Sequence, residues 1–262
     1  MIRSYRAELA KLARRKVILT TALVTLLFSV GGAAIVLAAA EPAAQSGSGR
    51  TPSLEQLAAA GGGTEVFRVA AAFAGTFLFV VFVGMMAAEF SRGTIRTMLL
   101  RQPQRVRLLA GKLAAVLTFA GVTLAVAETL TWIAARILAP GSDIATGAWT
   151  SSSALGAAAV DFGAVLLWVT GYAVLGTTVG VLLRSVPLAL AVGIAWAGPI
   201  EHLVQDAWSP ANRLFPGLLL EAFVAGGTPD VTAGRALATV AAYTVAAAVL
   251  ASVVFARRDV TA

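Results

Sequence analysis

The sequence predicts an all-α protein of a bacterial inner membrane that crosses the bilayer six times, with both ends in the cytoplasm. Three observations predict this. Of the 262 residues, 58% are hydrophobic and only 13% are charged, against about 45–50% and about 25% in soluble domains. So apolar a soluble chain would have too few polar groups to coat its surface, whereas lipid solvates the outer faces of membrane helices. The apolar residues also fall into six runs, each near or beyond the roughly 20 residues that cross a bilayer. Finally, the basic residues flank these runs on alternating sides.

Residues 1–16 precede the first run and are amphipathic. Ile2, Tyr5, Leu9 and Leu12 share one helical face, and Arg3, Arg6, Lys11 and Arg14 occupy the others. Such a helix lies flat at the interface, with its arginines near anionic headgroups. The same basic cluster also sets topology, and the two roles are compatible. The first span is read at 17–40. Its basic start and Ala38-Ala39-Ala40 imitate a signal peptide, but the apolar stretch exceeds the about 7–15 residues of a signal core, so a retained span is expected. Residues 41–63, rich in Ala, Gly, Ser, Gln and Pro, read as a linker.

The second span is read at 66–88 and leads into 89–102 on the cytoplasmic side. Pro103 ends any helix there at about Gln102. Ser91 or Thr94 is a candidate cap for a short helix, and Ile95, Met98 and Leu99 form a small apolar ridge. This segment either docks into a cytoplasmic partner or is an ordinary basic loop. The third run, 106–138, and the fourth, 154–183, exceed one crossing, so their ends should project or bend. Gly171, Gly176 and Gly180 in the fourth let another helix approach closely, read here as packing within the chain. The fifth run, 186–207, should kink at Pro199. Segment 208–234, with Pro210, Pro216 and Pro229, holds an apolar stretch too short to span, which fits a short interfacial or re-entrant helix. The last span is read at 236–256. No internal repeat is evident, and residues 1–262 form a single transmembrane domain.

Orientation follows from the basic residues. Arg3 through Lys16, Arg92 through Lys112, Arg184, Arg257 and Arg258 all fall on one side of this map. The other side holds few cations but most acids: Glu41, Glu55, Glu65, Asp143, Asp206, Glu221 and Asp230. The formal charge of +7 therefore reflects topology, and no nucleic-acid partner is expected. Arginine heavily outnumbers lysine, since Lys11, Lys16 and Lys112 are the only lysines. With so much Ala and Gly, this reads as the coding bias of a GC-rich genome.

The chemistry available is restricted. The absence of cysteine excludes disulfides, thiolate metal sites and cysteine nucleophiles. His202, the only histidine, excludes a multi-histidine metal site within the chain and reads as an interfacial hydrogen-bonder near Glu201. There is no catalytic site, metal site or cofactor site to assign, and the chain by itself is not read as an enzyme. Glu128 and Asp161 fall within apolar runs, where ionisable groups point to function. They are candidates for a substrate path or an interhelix polar contact. The simpler reading is interfacial solvation or pairing, with Arg136 as a partner for Glu128.

The run Glu89-Phe90-Ser91-Arg92-Gly93-Thr94-Ile95-Arg96-Thr97-Met98-Leu99-Leu100 resembles the Glu-x-x-x-Gly-Thr signature of ABC-2 (type-two) ABC transporter permeases. Glu89, Gly93, Thr94 and Ile95 carry it, continued by Leu99-Leu100, Arg105 and Gly111-Lys112. Segment Tyr5–Lys16 is similar to that family's elbow helix. The resemblance covers the layout of the whole chain, but residues only in these two segments. It implies an elbow helix with Tyr5, Leu9 and Leu12 on its packing face. It also implies a coupling helix whose Glu89, Ser91, Arg92, Gly93, Thr94, Ile95, Arg96, Met98 and Leu99 contact an ATPase partner. The implied assembly pairs two permease subunits, as a homodimer or heterodimer in membrane lipid, with two cytoplasmic P-loop ATPase subunits that carry ATP and Mg and drive export. The chain has no phosphate-binding loop of its own, because Gly111-Lys112 is followed by Leu113 and lacks the upstream glycine. Two other classes stay open, an ion-driven secondary carrier and an intramembrane enzyme. The residues do not identify a substrate.

Overall fold

A computed structural model of the protein describes residues 1–43, 52–196 and 200–257. Of these residues, 85% are helical. It opens with α1 (Ile2–Leu12) and α2 (Arg15–Ala38), separated by Arg14 in an extended conformation. The linker expected over 41–63 lies in part outside the described residues. Within it, α3 (Leu54–Ala58) begins in a capping box, in which Ser53 accepts from the Gln56 N–H and Gln56 returns the bond to the Ser53 N–H. Then come α4 (Gly62–Phe73), α5 (Gly75–Ser91), α6 (Thr94–Arg101), α7 (Arg105–Leu138) and α8 (Ser152–Leu183). The chain continues through α9 (Val186–Ala195), α10 (Glu201–Ala207), α11 (Pro216–Val224) and α12 (Ala233–Arg257).

Among the described residues, four helices are long and apolar enough to cross a membrane: α2, α7, α8 and α12. Their outward faces carry exposed Leu23, Val122, Val160 and Val245. Water would leave these side chains unburied, whereas lipid is their natural solvent. The described chain is thus an all-α membrane protein.

One expected span is not a single straight helix. The second is split between α4 and α5, which are inclined by 52°. The break falls at Ala74, beside Gly75, where a Cβ would stand 2.8 Å from the Trp168 ring. In the region of the fifth, α9 runs to Ala195 and α10 begins at Glu201, and residues 197–199 between them are outside the described residues. The kink expected at Pro199 lies outside the described residues.

α8 is the axis of the bundle. Val165, Trp168, Val169, Tyr172 and Ala173 are buried on it. Gly176 and Gly180 face α5, since Cβ atoms there would lie 2.9 Å from Phe82 Cβ and 2.7 Å from Met86 Cβ. Gly171 likewise admits Leu220 of α11. Thr178 donates to the Ala247 carbonyl of α12 at 3.1 Å, and Ser29 of α2 to the Ala127 carbonyl of α7 at 3.2 Å.

The segment before α12 is more buried than an interfacial helix would be. Leu218, Leu219, Leu220 and Val224 of α11 are all covered, against α4, α8 and α12. A two-residue hairpin follows, β1 (Gly227–Thr228) with β2 (Val231–Thr232), antiparallel about Pro229-Asp230. The sequence reading did not include it, although a Pro-Asp pair beside Val and Thr is a turn signal.

Candidate functional site

One end of the bundle gathers α1, the end of α5, α6, the start of α7, the α8–α9 turn and the end of α12. The contacts are specific. Ser4 donates to the Leu108 carbonyl at 2.9 Å, Ser91 to the Arg184 carbonyl at 3.1 Å, and Arg105 to the Phe255 carbonyl at 3.2 Å. Among the described residues, Glu8 and Glu89 are the only acids at this end, amid many arginines.

Both acids are engaged by lysine. Lys112 Nζ lies 2.8 Å from Glu8 Oε2 and 2.7 Å from Glu89 Oε1. Lys11 Nζ lies 2.9 Å and 3.2 Å from the same two oxygens. The four side chains form a closed square of alternating charge that joins α1, α5 and α7. An ammonium can direct its three donors at two carboxylates and the solvent, whereas an arginine fork is planar and fixed. Glu8 and Lys112 are only 6% and 7% exposed, so the square sits largely out of water and each charge depends on the others. Burial pushes the Glu8 carboxyl up, but Lys112 and Lys11 outweigh it and hold the group below its ordinary value. Burial alone would lower the Lys11 ammonium, yet Glu8 and Glu89 raise it. A cavity of about 400 Å³ borders the square, with Met85, Met86 and Val116 in its wall.

Glu89 pairs with lysines from two other helices, because the end of α5 faces α1 and α7. The arrangement also corrects one reading of the sequence, since the inward face of α1 is not the apolar one. Ser4 and Glu8 are its buried residues, Tyr5, Leu9 and Leu12 are half-buried, and Ile2 is exposed. The reason is Gly111, where a Cβ would stand 2.9 Å from the Met1 carbonyl oxygen and from Ser4. The missing side chain lets α1 lie on α7 through its small polar residues.

α6 follows directly. Gly93 at its start has φ +65°, with nothing within 4 Å of a notional Cβ. The glycine is therefore needed for the left-handed turn and not for space. Neither Ser91 nor Thr94 caps α6. Thr94 donates back to the Glu89 carbonyl at 3.1 Å, and Ser91 ties the end of α5 to the α8–α9 turn, also accepting from the Val186 N–H. Ile95 is fully buried among Met86, Leu108, Val181 and Phe255, with Met98 and Leu99 packed against that cluster. The apolar ridge read from the sequence thus faces the protein's own spans. What α6 and its start present outward is Arg92, Arg96, Thr97 and Leu100, the last 83% exposed.

The family model described as a protein of unknown function (DUF2705) matches residues 44–261. The chain belongs to the DUF2705 family. No curated protein and no solved structure matches it. The DUF2705 match contains Glu89 and Lys112, while Glu8 and Lys11 precede it.

The remaining candidate residues lie elsewhere. Asp161 of α8 is paired with Arg68 of α4 at 3.5 Å, and Arg68 also bonds Glu65. Asp161 is thus an interhelix contact. Glu128 is not paired with Arg136, whose guanidinium lies 5.4 Å over the Trp132 ring. His202 lies 3.3 Å from Glu221. A residue given little weight in the sequence is Glu201, only 2% exposed, whose carboxylate accepts from the Leu218 N–H at 3.0 Å at the start of α11. Such pairing across 17 residues leaves no local signal. Among the described residues, no group of three or more acids and histidines could hold a metal.

Proposed function

We propose that the chain is the membrane permease subunit of an ATP-driven ABC-2-type exporter, coupled to a separate cytoplasmic P-loop ATPase. The observation that carries this is the join between α6 and the charge square. α6 is a short helix between two long apolar elements, with an outward basic face. Its base, Glu89, is fastened to both α1 and α7. A push on α6 would therefore reach three helices at once, which is what a coupling element requires. α1 serves as the elbow helix, held at the membrane surface with Ile2 toward lipid.

Six crossings follow if α4 with α5 forms one broken span and α9 with α10 another. Contacts support the second pairing. α9 packs on α5, whereas α11 packs on α4, so the chain moves from one half of the second span to the other between them. The basic end of the bundle is then cytoplasmic, in a bacterial inner membrane. A second permease subunit and two ATPase subunits complete the assembly.

The test is copurification of a P-loop ATPase with the tagged chain, compared with a Leu100→Asp, Arg96→Glu variant of confirmed folding. The expected result is loss of the ATPase from the variant, with the bundle intact. Equal recovery from both proteins would remove α6 as the contact. Absence of any ATPase from the wild-type preparation, with ion-gradient-driven uptake in vesicles, would instead favour a secondary carrier.

A further inference from the structure

We infer that a cavity far from the charge square, between α4, α7 and α8, binds hydrophobic organic cations of the aryl-ammonium or aryl-phosphonium kind. The inference rests on the transport reading for its purpose, but not for its evidence. The cavity has a volume of about 450 Å³, within the about 300–1,000 Å³ of small-molecule sites. It lies some 16 residues along α7 from Lys112, roughly 24 Å at 1.5 Å per residue.

Its wall combines aromatic rings with one carboxyl group that has no ion-pair partner among the described residues. Trp132 and Trp149 converge over Gly63, where a Cβ would be 2.7 Å from the first indole and 3.0 Å from the second. The Trp149 N–H is already donated to the Leu57 carbonyl at 2.8 Å, which fixes that ring. The lining hydroxyls are also satisfied. Thr129 donates to the Ala125 carbonyl at 2.8 Å and Ser151 to the Ala148 carbonyl at 2.7 Å. Among the described residues of the lining, Glu128 Oε1 is the one buried side-chain oxygen without a hydrogen-bond partner. No described Lys, Arg or His lines the cavity, and the nearby Arg68 is held by Asp161 and Glu65.

A carboxylate in apolar surroundings with no counter-ion of its own is costly. A cation supplied from outside would relieve that cost. An ammonium or phosphonium wrapped in apolar groups would also satisfy the rings, because indole faces attract cations best among the aromatic side chains. Trp132 already does this for Arg136 on the chain itself. A bound cation would stabilise the ionised form of Glu128, whereas an anion would oppose that form and a neutral ligand would leave the carboxyl without a counter-ion. Glu128 is thus assigned as the charge-recognising residue and Trp132 as the ring that sorts aromatic from aliphatic cations.

The experiment is binding of tetraphenylphosphonium to the purified full chain in detergent, by equilibrium dialysis and tryptophan fluorescence. Tetraphenylborate, of the same shape and opposite charge, is the control. Saturable phosphonium binding is expected, weakened about tenfold or more by Glu128→Gln and also by Trp132→Leu, with the borate failing to compete. Equal phosphonium affinity in Glu128→Gln, or equal binding of the borate, would overturn the inference. Should Glu128→Gln fail to fold, the phosphonium–borate comparison on the wild-type protein decides. The assay needs no ATPase. Binding without a copurifying ATPase would sink the exporter reading and keep the site, and copurification without binding would do the reverse.

Discussion

The Lys112 ammonium stands 2.8 Å from Glu8, a residue 104 positions earlier in the chain. With Glu89 and Lys11 this contact turns three separately encoded segments into one mechanical unit. Its energetics can be measured. Breaking a buried pair by removing one partner typically costs about 3–5 kcal/mol. Lys112→Met, which leaves Glu8 and Glu89 sharing only Lys11, should fall toward that range. The double variant Glu8→Gln, Lys112→Met should cost less than the sum of the singles, and unfolding in detergent reads the difference. Additive singles would mean that the contact carries no coupling.

The square also makes the seating of α1 sensitive to acid. Glu8 has a folded value below the ordinary 4.5, so its contribution is complete above 4.5 and is lost as pH falls through the lowered value. Lys11 is raised above 10.5, so its contribution is complete below 10.5 and is lost only as pH climbs through the raised value. Between these limits α1 should stay docked. The chain has no cysteine, so Ser4→Cys supplies a single thiol on the covered face. Its reaction with dipyridyl disulfide should be slow near pH 7 and accelerate below pH 4.5, relative to an exposed Ala7→Cys. Equal rates for the two thiols at neutral pH would contradict the docked position.

The α5–α8 seam predicts an asymmetry among glycines of one helix. Gly180→Ala places a Cβ 2.7 Å from Met86 Cβ and 2.9 Å from the Val83 carbonyl oxygen, so it should destabilise by about 1–3 kcal/mol. Gly163→Ala, with nothing within 4 Å, should be neutral or gain up to about 1 kcal/mol of helix preference. Thermal unfolding of the two variants side by side checks this.

The proposed six crossings predict a simple reporter map. Fusions after Asp143 and after Pro229 should read as external, and a fusion after Gln102 as cytoplasmic. A cytoplasmic reading at Pro229 would mean that α9 and α10 do not cross together.

Much of the fold was legible in the sequence, because a bilayer filters sequences strictly by length and polarity. The runs at 17–40, 106–138, 154–183 and 236–256 correspond to α2, α7, α8 and α12. The break at Ala74 was not legible, because a single glycine beside it, Gly75, is no sufficient local signal, and the close approach of the Trp168 ring that Gly75 admits comes from a distant helix. The same holds at the candidate site. Spacing correctly placed Ile95, Met98 and Leu99 on one ridge, but periodicity cannot say whether a ridge faces a partner or the protein's own core. Phe255, some 160 residues away, decides that. The lysine–glutamate square was hidden for the same reason, since its members come from three separate segments.

The square also constrains the order in which the protein matures. α1 is made before the residues that hold it, by 78 positions for Glu89 and 104 for Lys112. At elongation rates of about 5–20 residues per second, that delay is on the order of 5–20 s. During this interval Glu8 and Lys11 have only each other, and the exposed Ile2 with the basic flank is what can keep the segment resting on the bilayer. The helix would then have two successive resting places, lipid first and protein later, and its sequence must serve both.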